Sequence, residues 1–345
     1  MRKGKDFRAE IMAKWRSMNF STDFTKMMGI KYPILAAPMF LVSNEDMVVE
    51  ASEAGALGTF PALNYRPSEE YRKALEQIKK RTQKPIGVNI IVNKSNVRQK
   101  EDLGISLDLG VELFITSLGN PKEVIQQAHK NGAKVICDVT GLDHALKVQE
   151  LGADGVIAVG TGAGGHAGPI SPFVLLPWLK EKLEIPVVAA GGIAHGSGLA
   201  AALTLGATAV SVGTRFIAST EAQVDEAYKK AVVDSTPEDI VMTTRVSGTP
   251  AAVIRTPYVE KLGLDLPWYF QALKKNRHTK KYITPLIHWM GMRSLEEAAT
   301  KPTWKTVWSA GQSVGMVKDV KPCRKIIEDM IAECEASVAW TKQSE

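Results

Sequence analysis

The sequence has little cysteine and no long apolar run. Only three cysteines occur among 345 residues, Cys137, Cys323 and Cys334, and they form no CxxC pair and no zinc-type spacing with histidine. A disulfide scaffold and a structural metal are therefore not expected, and unpaired thiols are typical of a reducing compartment. Because no stretch of about 18 apolar residues occurs, and the basic N-terminus lacks the apolar core of a signal peptide, we expect a cytoplasmic protein without a membrane helix.

The composition is that of a globular protein. Hydrophobic residues make up 45% and charged residues 23% of the chain, so disorder is not expected. The net charge of +6 fits an ordinary solvated surface, and it also suits the attraction of phosphate-bearing small molecules. Nucleic-acid binding would require a clustered basic face with aromatic platforms, and no stretch of the sequence shows one.

A recurring junction between helix and strand organises the chain. Four amphipathic stretches end in Gly-Ala, at residues 55, 132, 152 and 206, and a short apolar run follows each one. Such runs are typical of strands that are buried on both faces of a parallel sheet. The eight predicted strands are Pro33–Ala37, Leu57–Phe60, Ile86–Val92, Leu113–Ser117, Val135–Val139, Gly155–Val159, Pro186–Ala190 and Ala209–Val212. Eight strand–helix units predict an α/β fold of the TIM (β/α)8 barrel type.

The strand–helix rhythm stops after Val233. We predict that residues 1–233 form the main part of the barrel and that residues 234–303 form a smaller, mostly helical inserted lobe that caps the substrate. Residues 304–345 would return to the barrel and include an amphipathic helix over Pro322–Trp340, with Pro322 in its first turn.

The loop after strand 6 carries a histidine among glycines. Its sequence, GTGAGGHAGPISP over residues 160–172, contains the spacing G-x-G-x-x-G of dinucleotide-binding motifs, but that motif needs a helix at its third glycine. The prolines that follow oppose a helix there. We instead predict a flat loop at the active-site end of the barrel, with Gly164 and Gly165 against a cofactor and His166 as the catalytic residue.

Two further sets of residues predict a cofactor site. Strands 7 and 8 run into Gly191-Gly192 and Gly213-Thr214, and turns at these positions of a barrel commonly bind phosphate. Strand 1 ends in Ala37-Pro38-Met39, which suits a flat ring, and Asn89 in strand 3 offers both a donor and an acceptor to a polar ring edge. A phosphorylated planar cofactor is indicated, and flavin mononucleotide (FMN) fits best. Asp138 and Thr140 follow strand 5 near the same cleft.

The motifs PILAAPM, GVNIIV, GTGAGGHAG, AAGGI, GATAVSVGTRF and VWSAGQSVGMV together resemble the nitronate monooxygenase family, formerly called 2-nitropropane dioxygenases. The same superfamily includes flavin-dependent enoyl-acyl carrier protein reductases and NADH:quinone reductases. The resemblance implies an FMN-binding TIM barrel with a small lobe over the flavin, His166 facing the substrate, and Gln312 helping to close the site. Many members of the family have glutamate where this chain has Gly162.

Two enzymatic functions stay open from the sequence. In the first, the protein oxidises alkyl nitronates with O2 to carbonyl compounds and nitrite, with His166 as a base or as a cationic anchor. In the second, NADH or NADPH reduces the flavin, which then reduces an enoyl-CoA, an enoyl-acyl carrier protein or a quinone. A basic cluster in the lobe favours a phosphorylated partner for this second function and consists of Lys274, Lys275, Arg277, His278, Lys280 and Lys281.

Other interpretations have less support. A non-catalytic flavin-binding protein is a minor alternative. IMP dehydrogenases need a nucleophilic cysteine in a glycine-rich loop, and none of the three cysteines lies in one. Aromatic residues of the lobe would allow a homodimer.

Overall fold

A closed barrel of eight parallel strands forms the body of the molecule. The computed structural model describes residues 19–93, 96–245, 249–267 and 307–342, together with residues 270 and 283. Each strand pairs with its neighbours in sequence, and β1 pairs with β8 to close the barrel. The strands are β1 (Ile34–Ala36), β2 (Leu57–Pro61), β3 (Ile86–Ile91), β4 (Leu113–Ser117), β5 (Lys134–Val139), β6 (Gly155–Val159), β7 (Val187–Ala190) and β8 (Ala209–Val212). All eight predicted strands are confirmed, with ends that shift by one residue at most.

Helices alternate with the strands. In chain order the helices around the barrel are α1 (Asp23–Met28), α2 (Glu45–Glu53), α3 (Ser68–Arg81), α4 (Gln99–Asp108), α5 (Lys122–Lys130), α6 (Leu142–Glu150), α7 (Pro172–Lys182), α8 (Gly196–Thr204), α9 (Thr214–Ile217) and α10 (Glu226–Asp234). The glycine of each Gly-Ala junction has a left-handed backbone, with φ between 76° and 95°, which ends the preceding helix. In α4 and α7 the apolar residues are not spaced as one clear stripe along the helix.

Interior side chains of the barrel form two layers. The lower layer is a dry aliphatic cluster that includes Leu113, Ile115 and Ile136, and α1 closes the barrel beneath it by inserting Phe24 and Met28. Side chains alternate along a strand, so the residues two positions further along β4 and β5 form the next layer towards the carboxyl ends. That upper layer contains polar side chains, which marks the end of the barrel where a ligand can bind.

The C-terminal helix α12 (Cys323–Lys342) packs on the outer surface of the barrel against α8 and α2. Its predicted apolar face is confirmed, because Ile326, Ile327, Met330, Ile331 and Cys334 are all buried. The two backbones approach closely, since a Cβ atom at Gly196 would lie 2.2 Å from the carbonyl oxygen of Met330. A side chain at that position would push α12 away from α8.

The described part of residues 234–303, for which a mostly helical lobe is predicted, contains a small sheet. Strands β9 (Ile240–Thr243) and β10 (Ala251–Ile254) pair antiparallel, and the short helix α11 (Pro257–Leu262) follows. Isolated bridges join Ala252 to Gly165 and Val253 to Ser309. The sheet is therefore bound both to the loop after β6 and to the returning C-terminal segment. The basic cluster over residues 274–281, most of the lobe and the basic N-terminus lie outside the described residues.

Candidate functional site

The loop after β1 lies at the carboxyl end of the barrel and is held by Asn64. The Nδ2 atom of Asn64 donates to the carbonyl oxygens of Met39 (3.1 Å) and Ser43 (2.7 Å), while its Oδ1 accepts from the amide of Leu41 (2.9 Å). Leu41 has a φ of 58°, an uncommon backbone for a leucine. These contacts fix the half-buried segment Ala37-Pro38-Met39 in one conformation beside β8.

The loops after β6 and β7 contact each other through backbone atoms. The carbonyl oxygen of Gly162 accepts from the amides of Gly192 (3.2 Å) and Gln312 (3.1 Å). Gly162 has a φ of 84°, and a Cβ atom there would lie 3.3 Å from the backbone of Gly192. A side chain at this position, such as the glutamate implied by the family resemblance, would therefore be strained in this loop. The Oε1 atom of Gln312 lies 3.6 Å from the same Cβ position.

The C-terminal segment completes this cluster of loops. A Cβ atom at Gly311 would lie 2.2 Å from the carbonyl oxygen of Gly162, and one at Gly164 would lie 2.9 Å from the backbone of Gly311. The backbones of these two segments therefore contact each other with no side chain between them. Gln312 begins a 3-10 helix, Gln312–Met316, and its side chain is exposed at the rim.

His166 projects from the same loop and is exposed to solvent. The preceding residue, Gly165, exchanges two backbone hydrogen bonds with Ala252 of β10, at 3.1 and 2.7 Å. His166 therefore lies next to the contact between the loop after β6 and the small sheet. No helix begins at Gly165, since α7 starts only at Pro172, so the rejection of a dinucleotide-binding motif is confirmed.

Thr214 connects the turn after β8 to the C-terminal segment. Its buried hydroxyl accepts a hydrogen bond from the amide of Gly311 (3.0 Å), which leaves the hydroxyl proton to be donated to another group. The preceding residue, Gly213, lies next to the loop after β1, because a Cβ atom there would be 3.6 Å from the Sδ atom of Met39 and 3.8 Å from the Cβ atom of Ala37. Predicted residues from the loops after β1 and β8 are therefore neighbours.

An ion pair that the sequence did not reveal anchors this turn. Arg215 is buried, and its guanidinium donates to the carbonyl oxygen and the carboxylate of Asp319, both at 2.7 Å. Burial lowers the pKa of Arg215 from its ordinary value, and the neighbouring Asp319 partly offsets this effect. The contact spans 104 residues of sequence, and no local pattern marks it.

The opposite side of the barrel end carries polar side chains instead of glycines. The buried Asn89 of β3 donates from Nδ2 to the carbonyl oxygen of Ile115 (3.1 Å) and to the Oγ atom of Ser117 (2.8 Å). Ser117 donates in turn to Asp138 Oδ2 of β5 at 2.5 Å. Asn89 and Asp138 had been noted in the sequence, whereas Ser117 had not, because only the sheet register places it between them.

Burial raises the pKa of Asp138 to about 6, against the opposing effect of the hydrogen bond from Ser117. The carboxyl therefore titrates close to neutral pH at the end of the barrel, where a ligand would lie. Cys137, on the same strand, is buried, and burial raises the pKa of its thiol to about 11. Burial likewise raises the pKa of Cys323 and Cys334, so none of the three cysteines is activated as a nucleophile.

Two negative findings hold for the part of the chain that the structure describes. Within it, no group of three or more His, Cys, Asp or Glu side chains is arranged to hold a metal ion. None of its helices combines the length and the apolarity that a membrane span requires.

Known proteins resemble the chain over nearly its full length. The family model described as nitronate monooxygenase matches residues 21–333. A 31% identical relative is (3aS,4S,5R,7aS)-5-hydroxy-7a-methyl-1-oxo-octahydro-1H-indene-4-carboxyl-CoA dehydrogenase of Mycobacterium tuberculosis, aligned over 92% of this chain and 96% of that protein. A probable nitronate monooxygenase of Staphylococcus saprophyticus is 28% identical over 92% of this chain and 98% of its own length.

A solved structure shares both fold and sequence. FabK of Thermotoga maritima superposes with a TM-score of 0.82 and 33% identity, over 94% of this chain and 99% of that one. The members of this group are flavin-dependent oxidoreductases, which excludes the non-catalytic interpretation. With a matching family model over most of its length and relatives above 30% identity, this chain belongs to the nitronate monooxygenase family.

Proposed function

We propose that the protein is an FMN-dependent oxidoreductase that oxidises alkyl nitronates with O2 to carbonyl compounds and nitrite. The observation that carries this proposal is the match of the nitronate monooxygenase model to residues 21–333 of a chain whose barrel and loops have the expected arrangement. Bound FMN would supply a ring that accepts electrons from the nitronate and transfers them to O2.

The residues at the barrel end fit this cofactor. Space is open at Gly192, where no atom lies within 4 Å of a Cβ position, and Thr214 retains a hydroxyl proton, so the turns after β7 and β8 would hold the phosphate together with Gly191 and Gly213. Ala37, Pro38 and Met39 would line the ring with Gly164 and Gly165. Asn89 would meet the polar edge of the ring, and Gln312 would close the site from the C-terminal side.

His166 is the residue that we assign to proton transfer and to the anchoring of the substrate. Its side chain is exposed to solvent, and a histidine can act either as a neutral base or as a protonated cation. As a neutral base it would take the proton from the carbon next to the nitro group. As a cation it would hold the negative charge of a nitronate.

A second candidate function is the reduction of an enoyl thioester or a quinone by NADH or NADPH through the flavin. The observation that favours it is the 31% identical relative from Mycobacterium tuberculosis, whose name specifies a CoA thioester. Here His166 would donate a proton to the reduced acceptor. Three further parts of the proposal rest on the sequence alone. Residues 234–303 would cap the substrate, the basic cluster would bind phosphate groups, and the protein would form a homodimer.

Anaerobic reduction separates the two functions. The flavin of the purified protein is mixed in one experiment with NADH or NADPH and in another with ethyl or propyl nitronate, and its absorbance is followed. The first function predicts bleaching by nitronate and none by nicotinamides. Rapid bleaching by a nicotinamide supports the second function, and a purified protein without flavin contradicts both.

A further inference from the structure

Three polar residues at the ends of neighbouring strands form a hydrogen-bonded chain in the barrel. We name Asn89, Ser117 and Asp138 the mouth chain. Ser117 and Asp138 lie two residues beyond Ile115 and Ile136, which belong to the interior aliphatic cluster, and Asn89 pairs in register with Ile115. Because side chains alternate along a strand, the mouth chain faces the interior, directly above that cluster and below any ligand bound at the barrel end.

The hydrogen bonds of the mouth chain have a defined direction. An ionised carboxylate only accepts, so the hydroxyl proton of Ser117 is used in its bond to Asp138 Oδ2. The Oγ atom of Ser117 must then accept from Asn89 Nδ2, whose second proton is bound to the carbonyl oxygen of Ile115. Since both N–H groups of the amide are used within the protein, Asn89 can contact a ligand only through Oδ1, as an acceptor.

No cation among the described residues neutralises the charge of Asp138. Within the described part of the chain Asp138 forms no ion pair, and only burial and Ser117 influence its titration. In such a setting of low dielectric constant, a negative charge acts on neighbouring groups more strongly than it would in water. A ring bound beside this carboxylate would be harder to reduce, because the added electrons would lie close to a negative charge.

We propose that Asp138, acting through Ser117, is a positioning residue that makes Asn89 a hydrogen-bond acceptor for an N–H group on the bound ligand and places one negative charge beside that group. The inference rests on the proposed FMN function, since the imide N3–H of the isoalloxazine ring is such a group. Asp138 thereby selects rings with a protonated imide and lowers the reduction potential of the bound ring.

The test uses FMN and 3-methyl-FMN, which lacks the N3 proton, and measures two quantities. The first is the Kd of each compound for the flavin-free protein, from flavin fluorescence. The second is the midpoint potential of the FMN-loaded protein at pH 8. The variants are Asp138→Asn, Ser117→Ala and Ser117→Thr, and the control is Asp143→Asn, an exposed aspartate on α6.

We expect wild type to bind 3-methyl-FMN at least about tenfold more weakly than FMN. The Oδ1 atom of Asn89 would then lack a hydrogen-bond donor, and leaving such an acceptor unpaired costs roughly a factor of ten in affinity. Ser117→Ala should weaken FMN binding about tenfold and reduce the discrimination between the two compounds, and Ser117→Thr should restore both. Asp138→Asn should raise the midpoint potential, since it removes the charge but keeps an acceptor for Ser117. Asp143→Asn should match wild type.

Three results would overturn the inference. If wild type binds FMN but does not discriminate against 3-methyl-FMN, Asn89 is not an acceptor for N3. If Asp138→Asn and Ser117→Ala leave the Kd values and the potential unchanged, the mouth chain does not act on the ring, although the proposed function stands. If wild type binds no FMN at all, the proposed function fails, and the inference fails with it.

Discussion

The two sides of the barrel end are built from different chemistry. On the side of β6, β7 and β8, glycines let backbones meet directly, as at Gly162 and Gly311, and the polar groups on offer are mainly amides. On the side of β3, β4 and β5, the polar groups are the side chains of the mouth chain, held in a fixed order. The first side suits close approach to a phosphate and a ring. The second suits the recognition of one particular polar edge.

The comparison shows how the barrel divides its tasks. Backbone amides at glycine turns accommodate phosphate without a full positive charge, whereas a carboxyl with a raised pKa adds a charge that depends on pH. His166 is the exception on the glycine side, because it brings a titratable side chain to the junction with the lobe. Single substitutions can remove one group at a time from either side of the barrel end.

The largest effect is expected for His166→Ala. If His166 transfers a proton or anchors the substrate, kcat/KM should fall by about 10²–10⁴-fold while flavin content stays unchanged. The control is His144→Ala, because His144 is an exposed histidine on α6. Steady-state assays of both variants with nitronates and with NADH plus quinone provide the measurement, and unchanged turnover of the His166 variant on every substrate would remove this residue from the mechanism.

Gly311→Ala should break the contact between backbones on the glycine side. Its Cβ atom would lie 2.2 Å from the carbonyl oxygen of Gly162, so one of the two segments must move. We expect a loss of about 1–3 kcal/mol in the free energy of unfolding and a reduced flavin content. Urea denaturation checks this, with Gly104→Ala on α4 as control, because that position has open space around it. Equal stability of the two variants would show that the segments tolerate the added methyl group.

Thr214→Val should have a smaller effect at the same junction. Valine keeps the shape of the threonine but leaves the amide of Gly311 without its acceptor, which costs about 1–2 kcal/mol. Thr214→Ser retains the hydroxyl and should stay close to wild type. Thermal denaturation with and without FMN measures both variants, and a valine variant as stable as the serine variant would contradict the role of this hydrogen bond.

On the polar side, Asp138→Asn should change how stability depends on pH. The pKa of Asp138 is about 6 in the folded protein and near 3.8 in the unfolded chain, so the folded state binds more protons between these values. Stability therefore falls as pH rises through that window, by about 3 kcal/mol in total. The asparagine variant lacks this contribution and should be more stable than wild type by about 2–3 kcal/mol at pH 8, but much less so at pH 4.

Urea unfolding curves of wild type and Asp138→Asn at pH 4, 6 and 8 measure this difference. Asp143→Asn should follow wild type throughout, because Asp143 is exposed. A difference between wild type and Asp138→Asn that does not vary with pH would mean that folding does not raise the pKa of the Asp138 carboxyl.

The features that could be predicted from the sequence depend on the local backbone conformation of single residues. The Gly-Ala junctions, the strands after them and the glycine turns after β6, β7 and β8 follow from local conformational requirements that each residue carries with it. The same holds for the absence of a helix at Gly165, where the prolines downstream determine the local structure. The hairpin of β9 and β10 was not predicted, because its two short strands are stabilised by contacts with Gly165 and Ser309 that are remote in sequence.

The barrel, its eight strands and the loops that carry the candidate site could be predicted from the sequence, because hydrophobic periodicity and glycine positions are local properties. Which of those loops contact each other follows from the folded arrangement of the chain. The register of the sheet places Ser117 between Asn89 and Asp138. The return of the C-terminal segment to the barrel brings Asp319 to Arg215 and Gly311 to Thr214. Such pairs are separated by about 20 to 100 residues, and their contact depends on the geometry of the closed barrel rather than on any pattern within the chain.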